Sequence, residues 1–269
     1  MISLEKKFVF VHIPRTGGTH LKKILEPYSH KGWVPNGDKN DGSMIEFNEW
    51  AYHKHAAWHI EYLFNLGVPL DVIRSEYTFF TIVRNPWERA LSHALHENNG
   101  IFEREKFRET IFNGTTGFAG LWGGFYDVES YHHIGYRDLI DDHRKWPLSV
   151  VSFFALTAEY TYDYLNRSFY YNGTPVPDFK YIRYENYHKE IPMLLNQLGV
   201  DYELNDIKEK TNATDHKHYS HYYQEDEIGY VGKICTPDLH RFGYTFEREI
   251  DAHRGISIYD TLGEDKREK

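Results

Sequence analysis

Two short stretches of this chain concentrate the residue types that hold anions. The first, HIPRTGGTH at residues 12–20, places Arg15 beside Thr16, Gly17, Gly18, Thr19 and His20. An arginine offers a permanent charge with forked donors, the threonines offer hydroxyls, and the glycines let a backbone close around a ligand. The strand-forming run FVFV precedes it and the amphipathic THLKKIL follows. A helix N-terminus, with free amides and a positive dipole end, is therefore expected at this point. The second stretch is FFTIVRNPWERALSHAL at residues 79–95. Arg84 closes a strand, Asn85 and Pro86 have the chemistry of an N-cap and a first helical position, and Ser92 follows about two turns into the helix. An arginine at a strand's end and a serine on the next helix can converge on a second phosphate. Taken singly, each stretch has a plainer explanation: a tight turn with a surface arginine, or a capped helix with Arg84 and Arg89 in surface ion pairs. The Walker pattern G-x-x-x-x-G-K-[ST] is absent, which disfavours nucleoside triphosphate hydrolysis.

Histidines are the other candidates for chemistry. HKHAAWH supplies His53, His55 and His59, and an imidazole with an unperturbed pKa of about 6.5 can take a proton from a hydroxyl. If residues 55–66 are helical, His55 and His59 share a face; one or two of these rings would then merely cap or pack the helix. Together with HKH at 216–218, the cluster could in principle ligate zinc. No H-E-x-x-H and no cysteine pair accompanies it, so no metal is expected to be required.

The elements that must position these residues alternate along the chain. KFVFVHI, YTFFTIV and DFKYIRYENY read as strands. THLKKILEPY, HAAWHIEYLFNLG, NPWERALSHALHEN, REKFRETIF and HKEIPMLLNQLG read as helices, with Gly67 a plausible C-terminal cap for the second. Residues 29–45 show no periodicity and read as a loop. NGTTGFAGLWGGF is a glycine- and aromatic-rich loop whose Trp122, Phe125 and Tyr126 could stack on a sugar ring. Strands separated by helices predict one α/β domain with a central parallel sheet. The domain is expected over 1–246, followed by a polar tail at 247–269.

Composition excludes several classes. Across 269 residues, 41% are hydrophobic, enough for a sizeable core, and the formal charge is -9. That balance argues against a broad surface for nucleic acid, while leaving room for a small anion held by amides and a few arginines. No run reaches the roughly 18 apolar residues of a membrane span. The start MISLEKKFVFVHI is too short and wrongly flanked for a signal peptide. Cys235 is the only cysteine, so a reduced, cytoplasmic setting is expected.

Taken together, PRTGGTH and RNPWERALS resemble the motifs of the carbohydrate-type sulfotransferases that use 3'-phosphoadenosine 5'-phosphosulfate (PAPS). In that family a PKTGGT-like loop binds the 5'-phosphosulfate and an R-N-P-x-x-R-x-x-S segment binds the 3'-phosphate. Arg15 stands where lysine is usual, and every named position of the second motif is filled. Fainter likeness extends to KHAAWHIEYLFNLG, to YIRYEN at 181–186 and to FGYTF at 242–246. The resemblance implies a P-loop-like α/β fold and PAPS as donor. It implies Arg15, Thr16, Gly17, Gly18, Thr19, His20, Arg84 and Ser92 as donor contacts, and a hydroxyl of a saccharide or glycosylated small molecule as acceptor. It also points to His55 as base, with His53 and His20 behind it. Residues 210–223 could cover the nucleotide, and Arg183 could face the cleft or pair with Glu185. Two other readings stay open: a kinase-like enzyme using ATP, and a catalytically silent protein that binds the product nucleotide, 3'-phosphoadenosine 5'-phosphate (PAP).

Overall fold

A computed structural model of the chain describes residues 1–35, 43–50, 56–113, 160–163, 168–171, 174–175, 179–203, 206–207, 216–235, 238–239 and 242–248. Among the described residues its central sheet has four strands. β1 (Ile2–Ser3) pairs antiparallel with β2 (Phe8–Phe10), β2 pairs parallel with β5 (Thr78–Val83), and β5 pairs parallel with β9 (Phe179–Arg183). Phe8 lies opposite Thr78 and Val83 opposite Arg183. Parallel pairing needs a crossover, and among the described residues the segment between β2 and β5 supplies it with four helices. These are α1 (Gly18–Leu25), α2 (Phe47–Trp50), α3 (Ala56–Asn65) and α4 (Leu70–Glu76).

Both faces of the sheet are covered, as parallel strands require. On β2 and β5 the side chains alternate, so Phe8, Phe10, Phe80 and Ile82 face one layer while Val9, Phe79 and Val83 face the other. The first set packs against Leu21 and Leu25 of α1 and against Ile191, Leu194 and Leu195 of α7 (Tyr187–Leu198). The second set packs against Phe47, Ile60, Leu63, Ile73, Phe242 and Tyr244. Leu21 and Leu25 are fully buried, and each such side chain contributes about 1.5–3 kcal/mol relative to exposure. A third cluster joins α5 (Pro86–Glu97), α6 (Arg104–Asn113) and α8 (Glu225–Ile234) through Trp87, Leu91, Leu95, Phe107, Ile111 and Val231. A buried Glu227 receives Arg104 and Arg108 between α6 and α8.

The α/β architecture with parallel strands and flanking helices is the one expected. Residues 29–45 depart from the expected loop. Trp33–Pro35 (β3) and Met44–Glu46 (β4) form an antiparallel hairpin. A three-stranded antiparallel sheet also forms from β6 (Tyr160–Asp163), β7 (Ser168–Tyr171) and β8 (Thr174–Pro175). Among the described residues, no helix is long and apolar enough to cross a membrane. Glu247 and Arg248 are anchored, the first by donating its amide to the Tyr219 hydroxyl and the second by an ion pair with Glu225. Residues 249–269 of the expected tail lie outside the described residues.

Candidate functional site

The parallel pairing of β2 with β5 brings their C-terminal ends side by side, the place where ligands bind in open α/β sheets. Residues 11–17 leave β2 and residues 84–85 leave β5, so the two anion motifs meet there. Val11 extends the pairing by donating its amide to Phe80 O at 3.0 Å.

The first loop is wound tightly. Arg15 has φ 65° and Gly17, the residue before α1, has φ 88°. Left-handed backbone costs a non-glycine residue roughly 1 kcal/mol or more, so Arg15 must be held there by its neighbours. Gly18 is required for a different reason. A Cβ at that position would fall 2.0 Å from the ring of His12, which packs flat on Phe10 at 5.6 Å. With no side chain at Gly18, the α1 N-terminus sits directly on the end of β2. Thr16 is buried and its hydroxyl donates to Ile13 O at 2.8 Å, bracing the turn from inside. Thr19 and His20 lie in the first turn of α1, and the His20 ring stacks on Tyr187 at 6.0 Å.

The second motif locks onto the first. Arg15 Nη2 donates to Ser92 Oγ at 3.2 Å. Arg84 Nη1 donates to Arg15 O at 3.0 Å, and Arg89 Nε donates to Pro14 O at 3.1 Å. Arg84 also lies 4.1 Å over the ring of Tyr184 and pairs with Glu88 at 2.7 Å. Its buried Nε hydrogen-bonds to nothing among the described residues. Arg89 is likewise buried. Arg84 does form the i, i+4 pair with Glu88 that a plain capped helix would give it, though its own side chain is buried; Arg89 is turned inward to Pro14 O. Asn85 caps α5, its Oδ1 accepting from the amides of Trp87 at 3.0 Å and Glu88 at 3.4 Å. The result is a compact locus of donors: Arg15, Arg84 and the N-terminal end of α1, with a polar orphan at Arg84 suited to an anionic oxygen.

One neighbour escaped the sequence reading. His96 follows Ser92 by four residues on α5; the residue is exposed, and partial desolvation together with the Arg15 guanidinium holds its imidazole below the usual histidine range. The i, i+4 spacing from Ser92 was the available signal.

The remaining candidates fall variously. His59 is fully buried; its Nε2 lies 2.8 Å from the Met1 amine and its ring stands edge-on to Phe47 at 5.8 Å. It is a packing residue. His55 and His53 lie outside the described residues, as do Trp122, Phe125, Tyr126 and residues 208–215. Within 216–223, His216 approaches Glu88 at 3.9 Å and the Tyr223 hydroxyl donates to Trp87 O at 2.8 Å, so this segment lies against the start of α5. Arg183 does not pair with Glu185; it donates to Phe242 O and stands 5.0 Å over the ring of Tyr244. Among the described residues, no three His, Cys, Asp or Glu side chains are grouped as metal ligands.

No family model and no curated protein matches the chain. Among solved structures, the crystal structure of mouse sulfotransferase SULT7A1 complexed with PAP is similar, at 11% identity and a TM-score of 0.41. The match covers 97% of this chain and 91% of that one. Likeness at that level decides neither activity nor site residues here.

Proposed function

We propose that the protein is a sulfotransferase that moves the sulfuryl group of PAPS to a hydroxyl, of a saccharide or glycosylated small molecule. The observation that carries this reading is the lock between the two motifs at the ends of β2 and β5, with Arg15 on Ser92 at 3.2 Å and Arg84 on Arg15 O at 3.0 Å. A donor with a phosphate at each end of one nucleoside calls for two anion sites held at fixed separation. The loop of residues 15–19 and the α1 amides are assigned to the 5'-phosphosulfate, and Arg84 with Ser92 to the 3'-phosphate. The residues fit such a ligand: Arg84 keeps a buried donor without a partner among the described residues, and the bare Gly18 lets α1 start directly against His12 at the end of β2.

PAPS supplies an activated sulfuryl group whose sulfur–oxygen bond to phosphate is the one that breaks. The chain's own residues do the rest. Arg15 stabilises charge as the electron pair passes to the leaving phosphate oxygen. Because a guanidinium keeps its proton, Arg15 acts by charge and not as an acid. His55 takes the acceptor's hydroxyl proton as the new oxygen–sulfur bond forms. The positive charge comes from arginine and helix amides, so a metal has no assigned role, and the small acidic protein is matched to a small acceptor. Domain limits of 1–246 belong to the same proposal.

The test is sulfate transfer from labelled PAPS to a panel of saccharide and glycoside acceptors, with and without a chelator. Labelled product on at least one acceptor, unaffected by chelation, is expected. Transfer of phosphate from ATP with none from PAPS would favour the kinase-like alternative. Binding of PAP without turnover on any acceptor would favour the silent one.

A further inference from the structure

The segments YIRYEN and FGYTF stand apart in sequence and have no assigned role in the reaction, yet they meet at the second anion motif. β9 ends at Arg183, and residues 184–186 turn in a single helical turn before α7. At that turn the Glu185 carboxylate accepts two hydrogen bonds. One comes from the backbone amide of Asn85, at 2.7 Å to Oε1, and the other from the Tyr244 hydroxyl, at 3.0 Å to Oε2. Asn85 closes the ring from its other side, its Nδ2 donating to Thr245 O at 3.1 Å. Arg183 fastens the same strand end to Phe242 O. Three pieces of chain, 183–185, 84–85 and 242–245, are thus tied through one carboxylate.

Asn85 is the point where this tie acts on the site. Its side chain caps α5, and the residue before it is Arg84, which reaches Arg15 O. A shift at the Asn85 backbone would move Arg84 at the end of β5 and Ser92 two turns along α5 together. Charge-assisted bonds to a carboxylate are shorter and roughly twice as strong as neutral ones, so Glu185 is well suited to fix that point.

We propose that Glu185 is a positioning residue that sets the Asn85 hinge and, through it, the separation between Arg84, Ser92 and the loop at Arg15. The consequence for ligands rests on the assignment of Arg84 and Ser92 to the 3'-phosphate. Glu185 touches neither the nucleotide nor the reacting atoms in this account.

The test uses Glu185→Gln and the milder Tyr244→Phe, which keeps the carboxylate and removes one of its donors. Two quantities are measured on the full chain: hydrogen exchange of the Asn85 amide, and affinity for PAP against adenosine 5'-monophosphate (AMP). Glu185→Gln should speed Asn85 exchange and reduce the preference for PAP over AMP by about ten-fold, with AMP affinity little changed. Tyr244→Phe should move both in the same direction by less. A generally loosened protein would lose both nucleotides in equal proportion, and that result overturns the proposal. So does an unchanged Asn85 exchange rate in Glu185→Gln. Equal affinity of the wild type for PAP and AMP would instead remove the 3'-phosphate assignment, while the exchange rate would still decide whether Glu185 holds the hinge.

Discussion

Arg15 carries three burdens at once. Its backbone is left-handed, its carbonyl accepts from Arg84 and its guanidinium donates to Ser92. Removing the side chain leaves Ser92 without that donor and takes a charge from the loop. Arg15→Ala should therefore weaken PAP binding about ten- to a hundred-fold, the equivalent of losing a charge-assisted hydrogen bond of roughly 1.5–3 kcal/mol. Turnover should fall with it, and Arg15→Lys should be milder because the charge remains. His55→Ala should separate binding from chemistry: PAP affinity near wild type, turnover down about 10²–10⁴-fold. Calorimetric binding and sulfate transfer measured on the same variants check this. Near-normal turnover in a folded His55→Ala protein would pass the role of base to His53 or His20. At this scale the sequence showed the residue types and their order. It could not show that the Thr16 hydroxyl turns inward to Ile13 O, since that depends on which way a tight turn faces, whereas an ion pair at Arg84 was among its readings and Glu88 supplies it at i, i+4.

The elements place these residues through close approach. α1 begins where the bare Gly18 lies on the His12 ring, and an added Cβ would collide with that ring at 2.0 Å. Gly18→Ala forces backbone or ring to move, and overpacking of this kind costs typically about 1–3 kcal/mol. Denaturant unfolding should show a loss in that range, with PAP binding weakened because the displaced segment is the loop itself. Unchanged stability and binding would mean the α1 start is not held as tightly as the geometry indicates. The strands YTFFTIV and FVFV and the helix opened by Asn85 and Pro86 were legible, because near-continuous apolar runs and cap chemistry are local signals. The β3–β4 hairpin was not, since strands of three residues give no periodicity and one of them ends in Pro35. α8 was also missed. Gly229 and Gly232 weaken its helical signal, although the box formed by Gln224 and Glu227 marked its start.

At the scale of the whole molecule, the fold buries several phenols. Burial pushes the hydroxyls of Tyr187, Tyr219, Tyr223 and Tyr244 up from the usual tyrosine range. In the unfolded chain these groups lose their protons near pH 10, while in the folded chain they keep them. Above that pH the unfolded state binds fewer protons than the native one, so stability present below about pH 10 is lost as pH rises. Thermal unfolding between pH 8 and 11 should show a midpoint that is steady at first and then falls steeply past pH 10. A flat profile would mean the phenols are not held protonated by the fold.

The sheet sets the largest relationship of all, because pairing β2 with β5 in parallel turns two distant motifs into one site. That they would meet was an inference from resemblance; the strand register supplies the physical reason. The central claim is that this site grips a nucleotide by two phosphates, and the most direct measurement is titration of PAP against AMP, which differ only in the 3'-phosphate. Wild type should bind PAP roughly ten- to a hundred-fold more tightly, as expected for a phosphate held by charge-assisted bonds. Ser92→Ala and Arg84→Ala should erase most of that difference while leaving AMP binding in place. Equal binding of PAP and AMP by the wild type would contradict the account.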